Sequence, residues 1–216
     1  AAPFHQLFNS WARDRAGPAA EAVGSARLAR TAAALLGVRR VRVYQDTLLV
    51  KKPGHGPTGW HSDLRMAPID TNEFITAWVA LDRVARAEEG GTALHFADGS
   101  HRDLAHAFWA PSPTSPVAPD RYRIREHAPM IPGDATWHHG WCLHWAPGNP
   151  LGEDRVAFAV SYVADGARVL PPSRRGRLHA EDGPSYARWL GELSPMRDGS
   201  SRKAPLARHR LLPLAP

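Results

Sequence analysis

A single cysteine, Cys142, stands in the 216-residue sequence, so no internal disulfide can staple the fold. That usage fits a reducing cytoplasm, and it leaves no thiolate pair for a structural zinc site. Lysine is scarce: Lys51, Lys52 and Lys203 are the only ones, and the formal charge of +6 is carried by arginine. The arginines are scattered rather than blocked. Their densest run, Arg174, Arg175 and Arg177, falls in an expected exposed tail, so no nucleic-acid partner is expected. No apolar run approaches the ~20 residues that cross a bilayer. A charged start, apolar stretch and small-residue cleavage site are missing too, so no signal peptide is read. The expectation is a cytoplasmic protein with no membrane partner; its oligomeric state is unknown from sequence. There is no internal repeat. The first residue is Ala1, not methionine, and a trimmed N-terminus is expected.

What is present is a chain of one-domain length with 43% apolar residues, enough for one sizeable core. Pro18 to Gly37 reads as a helix: Pro18 suits the first turn, Leu28, Ala32, Leu35 and Leu36 recur at helical spacing, and Gly37 is a stop. The period then changes to that of strands. These are predicted at Val41–Val50, Phe74–Leu81, Thr92–Ala97, Tyr122–His127, Ala135–Trp145 and Arg155–Val163, separated by Gly/Pro turns. Residues 111–119 carry four prolines and read as a loop or lid. Beyond Asp165 the chain is rich in Pro, Arg and Ser, with one short helix predicted near Tyr186 to Leu193. Such a pattern indicates an all-β sandwich, jelly roll or barrel with a helix ahead of it. The expected organisation is one domain over 1–216, with a core of about 38–165 and a tail of 166–216.

Three features carry chemistry. In Trp60-His61-Ser62-Asp63, an extended backbone points residues i and i+2 to one face, so His61 and Asp63 can hold one ion together. His144 follows about 80 residues later, and a jelly roll can return it to the same mouth. Two His and one carboxylate form the facial triad of non-haem Fe(II) oxygenases, with coordination positions left open. Arg155 begins the last strong strand, on a face with Ala157, Ala159 and Ser161. Room plus one guanidinium suits a small dicarboxylate, which Arg binds bidentately.

The ordered set Trp60-His61-Ser62-Asp63, Ala77-Trp78, Gly90-Gly91-Thr92, Gly99-Ser100-His101, Gly133-Asp134 and Leu143-His144 with Asn149 resembles the phytanoyl-CoA dioxygenase family. His144 and Arg155 also stand eleven residues apart, the family's spacing from last His ligand to 2-oxoglutarate-binding Arg. The resemblance runs from about Phe4 to Val163. It implies a mainly β fold with a double-stranded β-helix core (jelly roll, cupin-like) and flanking α-helices. It implies Fe(II) held by His61, Asp63 and His144, and 2-oxoglutarate anchored by Arg155. It also implies Trp78, Thr76 and Leu48 against that co-substrate. Dioxygen and a small-molecule substrate complete the set, and the outcome is hydroxylation, desaturation or ring formation. Similar halogenases lack the carboxylate, so Asp63 argues for hydroxylation or a related oxidation. The family's usual Pro-Gly-Ser-His reads Asp98-Gly99-Ser100-His101 here, which should loosen that turn.

Alternatives stay open at this stage. His138 or His139 replaces His144 as ligand if the Ala135–Trp145 strand is bulged or shifted in register. His95, His101, His106 and His127 read as structural or exposed. Trp60, Trp137, Trp141 and Trp145 read as core packing or as an aromatic surface for a ring-bearing substrate. Such a surface, with the Arg-rich composition, points to bacterial secondary metabolism, including sugar-containing antibiotics. Two rivals are a metal-dependent cupin-type isomerase or hydrolase and a carbohydrate-binding β-sandwich without catalysis.

Overall fold

The computed structural model describes residues 4–67, 69–103 and 121–168. The 111–119 loop, the expected helix near residue 186, the Arg174–Arg177 run and His106 lie outside them.

The fold is mainly β, with two antiparallel sheets and few helices: a double-stranded β-helix core of jelly-roll, cupin-like type with flanking α-helices. Nine strands are formed among the described residues: β1 His5–Phe8, β2 Val41–Lys51, β3 Thr58–His61, β4 Phe74–Ala80, β5 His95–Ala97, β6 Ile124–Glu126, β7 Ala135–His139, β8 His144–Ala146 and β9 Arg155–Ala164. One sheet runs β1-β2-β9-β4-β7 and the other β3-β8-β5-β6. The described chain divides into two compact units. One holds the N-terminal residues up to Leu7 with segments 48–65 and 77–159; the other holds segments 8–47 and 66–76 with the chain from Val160 on. β2, β4 and β9 each contribute residues to both.

The predicted helix over 18–37 is two helices. α2 is Pro18–Val23 and α3 is Ala26–Leu36, after a short α1 at Ser10–Arg13. The break falls at Gly24-Ser25. Gly is a poor helix former, and the Ser25 hydroxyl accepts from the Leu28 N–H at 3.4 Å, starting a new helix. Gly37 ends α3 in the left-handed region at φ 69°. Ala29 and Ala32 are the buried residues of α3, while Leu35 is 57% exposed, so the buried stripe is narrower than the apolar spacing suggested.

The predicted strand over Ala135–Trp145 is also two. A turn at Gly140-Trp141, closed by the Cys142 N–H on the His139 carbonyl at 2.7 Å, separates β7 from β8. β7 joins the five-stranded sheet and β8 the four-stranded one. The predicted Thr92–Ala97 strand shortens to β5, and Tyr122–His127 to β6.

The first unit is packed around Trp78, Ala80, Val84, Ala93, Met130 and Ala157, with Leu49 and Ala159 against them. In the second, Val23, Val41, Phe74, Val160 and Tyr162 are fully buried. There Asp46 of β2 satisfies free amides at the start of α1, accepting from the Ser10 N–H at 3.1 Å and the Trp11 N–H at 3.4 Å. None of the described helices is long and apolar enough to cross a membrane.

Candidate metal and co-substrate site

The four-stranded sheet assembles the triad. β8 lies between β3 and β5, and its register sets His144 opposite His61 on one side and Phe96 on the other. Asp63 follows β3 at the start of a 3-10 turn, Asp63–Met66, rather than on extended chain. So the alternation argument that paired it with His61 holds in outcome but not in backbone. What fixes Asp63 is the Leu64 N–H, which donates to the Gly140 carbonyl in the β7–β8 turn at 2.9 Å.

His61, Asp63 and His144 each bring one ligand atom within 4.8 Å of the others. The Asp63 Oδ1 lies 3.8 Å from His61 Nε2 and 3.7 Å from His144 Nε2. Both rings are oriented alike. His61 Nδ1 donates to the Gly59 carbonyl at 2.8 Å, and His144 Nδ1 donates to the Cys142 carbonyl at 3.0 Å. A carbonyl only accepts, so each proton sits on Nδ1 and each Nε2 lone pair faces Asp63. Burial holds His144 well below its ordinary pKa, helped by His61 and His138 and opposed by Asp63, so the ring stays neutral. Burial pushes the Asp63 carboxyl up, but His144, His138 and His61 outweigh it and hold the group well below the usual carboxylate range. Two imidazole nitrogens and one ionised oxygen are the donor set that suits Fe(II).

The residue left open in sequence, His138, is not in that group. Its Nε2 donates to Asp63 Oδ2 at 3.0 Å. His139 lies on the far side of the β7–β8 turn from His144. Its Nδ1 accepts from the Trp141 N–H, and its ring meets His101 at 5.3 Å.

Arg155 opens β9 and is only 6% exposed. Its Nε donates to Thr92 Oγ1 at 3.0 Å, and the guanidinium lies 5.2 Å from the centre of the Trp78 ring. Burial lowers its pKa to about 10, which still leaves it charged at neutral pH. Nη1 is buried without a hydrogen-bond partner among the described residues, and so is Trp78 Nε1. A buried guanidinium with an unused donor is costly unless an anion completes it, and a carboxylate has the matching geometry. Of the remaining residues expected at the co-substrate, Thr76 is buried and shares a hydrogen bond with the Ser161 hydroxyl at 2.9 Å. Leu48 is half-buried, and its neighbour Leu49 is the one packed against the Trp78–Ala157 cluster.

Sequence reasoning passed over two supports. Ser100 Oγ accepts from the Leu143 N–H at 2.9 Å, holding the strand one residue before His144. Lys51 is fully buried, with Nζ donating to the Pro147 carbonyl at 2.6 Å. A Gly-Ser-His triplet signals a turn, and a Lys-Lys pair signals solvent, so neither pattern pointed inward. Asp98, in the turn expected to be loose, pairs with Arg125. Trp60 and Trp145 are half-buried and 6.0 Å apart, Trp137 is half-buried, and Trp141 is 38% exposed.

Solved structures of similar fold include the non-heme alpha ketoglutarate dependent epimerase SnoN from nogalamycin biosynthesis. It is 22% identical with a TM-score of 0.66, over 78% of this chain and 65% of that one. A second SnoN structure, in complex with Fe3+, alpha ketoglutarate and nogalamycin RO, is 25% identical with a TM-score of 0.63, over 78% and 66%. EctD from S. alaskensis with 2-oxoglutarate and 5-hydroxyectoine is 22% identical with a TM-score of 0.63, over 77% and 58%. The chain thus spans less than two thirds of the length of the SnoN chain, 65%, and 58% of that of EctD. No curated protein matches the sequence. The profile of the family described as Phytanoyl-CoA dioxygenase (PhyH) matches residues 4–157. With most of its length covered, the chain belongs to the phytanoyl-CoA dioxygenase (PhyH) family.

Proposed function

We propose that this chain is an Fe(II)- and 2-oxoglutarate-dependent oxygenase that oxidises a small molecule of bacterial secondary metabolism. The observation that carries the reading is the convergence of two imidazole nitrogens and one carboxylate oxygen within 4.8 Å. His61, Asp63 and His144 would hold the iron. Iron and 2-oxoglutarate together supply the oxidising chemistry from dioxygen.

The residues of the chain bind and orient. The Nδ1 bonds of His61 and His144 aim their Nε2 atoms inward, and Asp63 supplies the negative charge that offsets a divalent ion. Arg155, fixed by Thr92, would offer Nη1 to the far carboxylate of 2-oxoglutarate. Trp78 walls the guanidinium and excludes water from it, which strengthens that charge pairing. An isomerase or hydrolase on the same triad leaves this buried guanidinium without a task.

The finer reading, a secondary-metabolite substrate that includes sugar-containing antibiotics, draws support from SnoN and from the carbocyclase SnoK, both of nogalamycin biosynthesis. The Trp60–Trp145 pair and Trp141 add aromatic faces that suit a ring-bearing molecule. The test is succinate formation from 2-oxoglutarate by Fe(II)-loaded protein under air, with and without ring-bearing secondary metabolites as acceptors. Succinate that His61→Ala abolishes is the expected result. Its absence under every condition contradicts the reading.

A further inference from the structure

His138 touches the proposed metal centre without belonging to its donor group. It lies on β7, the strand before the β7–β8 turn, and is 5% exposed. Its ring is packed by Phe96 at 5.4 Å and by His144 at 4.3 Å. Nε2 donates to Asp63 Oδ2 at 3.0 Å, while Nδ1 is buried with no hydrogen-bond partner among the described residues. The ring therefore has one polar attachment, and that attachment is a carboxylate oxygen.

The two oxygens of Asp63 are thereby divided. Oδ1 faces both His61 Nε2 and His144 Nε2; Oδ2 faces His138. We infer that His138 is a positioning residue that engages Oδ2 so that Asp63 presents only Oδ1 to the metal. The inference rests on the reading of His61, Asp63 and His144 as the metal ligands. A carboxylate free to rotate can chelate an ion with both oxygens and occupy a position that a co-substrate needs. One whose outer oxygen is already bonded cannot do so without breaking that bond. Hydrogen-bond partners of ligating carboxylates set metal affinity for the same reason, and their loss typically costs 10- to 100-fold.

Gln and Asn separate this role from simple packing. The Gln amide nitrogen can stand where Nε2 stands and donate to Oδ2. The Asn amide nitrogen stands where Nδ1 stands and falls short. Anaerobic Fe(II) affinity is measured by competition with a chromogenic chelator for wild type, His138→Gln, His138→Asn and His144→Ala. The visible d–d spectrum of each Co(II)-loaded protein reports the donor number, and circular dichroism checks the fold of each metal-free protein.

The expected result is His138→Gln within about 3-fold of wild type and His138→Asn weaker by roughly 10- to 100-fold. The Co(II) spectrum should change for Asn and be restored for Gln. Equal Fe(II) affinity and an unchanged Co(II) spectrum in both variants overturn the inference, as does equal loss in both. If wild type binds Fe(II) no better than His144→Ala, the triad itself fails and the inference with it.

Discussion

Arg155 carries a charge into a buried place where its described contacts are the Thr92 hydroxyl and the face of Trp78, and where the nearby charge of Lys51 is of the same sign. A buried cation in such surroundings costs several kcal/mol until an anion arrives, so the residue is poised for a ligand rather than for stability. Arg155→Ala should weaken 2-oxoglutarate binding roughly 10- to 100-fold, from a lost charge-assisted hydrogen-bond pair of about 1.5–3 kcal/mol. Equilibrium binding of 2-oxoglutarate to the iron-loaded protein measures this, and an unchanged affinity removes Arg155 from the site. At this scale the sequence was informative. The eleven-residue step from His144 to Arg155 and the His-x-Asp pair are short-range patterns that survive whatever the fold does between them. His138 was legible only as a competitor for His144, because one unbroken strand places both on the same face. The turn at Gly140-Trp141 removes that premise and gives His138 to Asp63 instead.

Elements were read with less accuracy: two long periodic stretches turned out to be broken, and two strands are shorter than expected. Ala135–Trp145 is β7 and β8, and residues 18–37 are α2 and α3. Strand propensity does not register a corner between two sheets, and a helical apolar period continues across Gly24-Ser25 even though a new cap begins there. β1 was missed because four residues with half-buried alternation give too little pattern. Between elements, Gly91 is the tightest point. A Cβ there would lie 1.9 Å from the Ala85 carbonyl oxygen and 2.6 Å from that of Arg86. Both are backbone, so the 85–91 segment would have to move, and Thr92, the Arg155 partner, would move with it. Gly91→Ala should destabilise by about 2–3 kcal/mol, the cost of overpacking. It should also raise the 2-oxoglutarate requirement. Thermal unfolding and the same binding measurement check the two effects together.

For the whole molecule, the alternation of short strands and Gly/Pro turns was enough to identify a mainly β fold. The division into two compact units was not legible, because β2, β4 and β9 run through both without a change of composition. Asp46 gives a prediction on global stability. It is fully buried, and burial pushes its carboxyl up to about 6 against the hydrogen bonds from Trp11 and Ser10 and the charge of Arg13. The ordinary value is 3.8, so between about pH 4 and pH 6 the folded protein binds this proton more tightly than the unfolded chain. Stability from this group is therefore full below about pH 4 and is lost as pH rises to about 6. Wild type and Asp46→Asn should differ in the slope of stability against pH across that window, with Asn the flatter once other titrating groups cancel. Urea unfolding at several pH values measures it, and parallel slopes contradict it.

The central claim is that one ion and one 2-oxoglutarate share the site built by His61, Asp63, His144 and Arg155. Anaerobic addition of Fe(II) and then 2-oxoglutarate to the metal-free protein, followed by visible absorption, tests it most directly. The account predicts a metal-to-ligand charge-transfer band of the chelate in wild type that His144→Ala abolishes. Tight Fe(II) binding with no band on adding 2-oxoglutarate would contradict it.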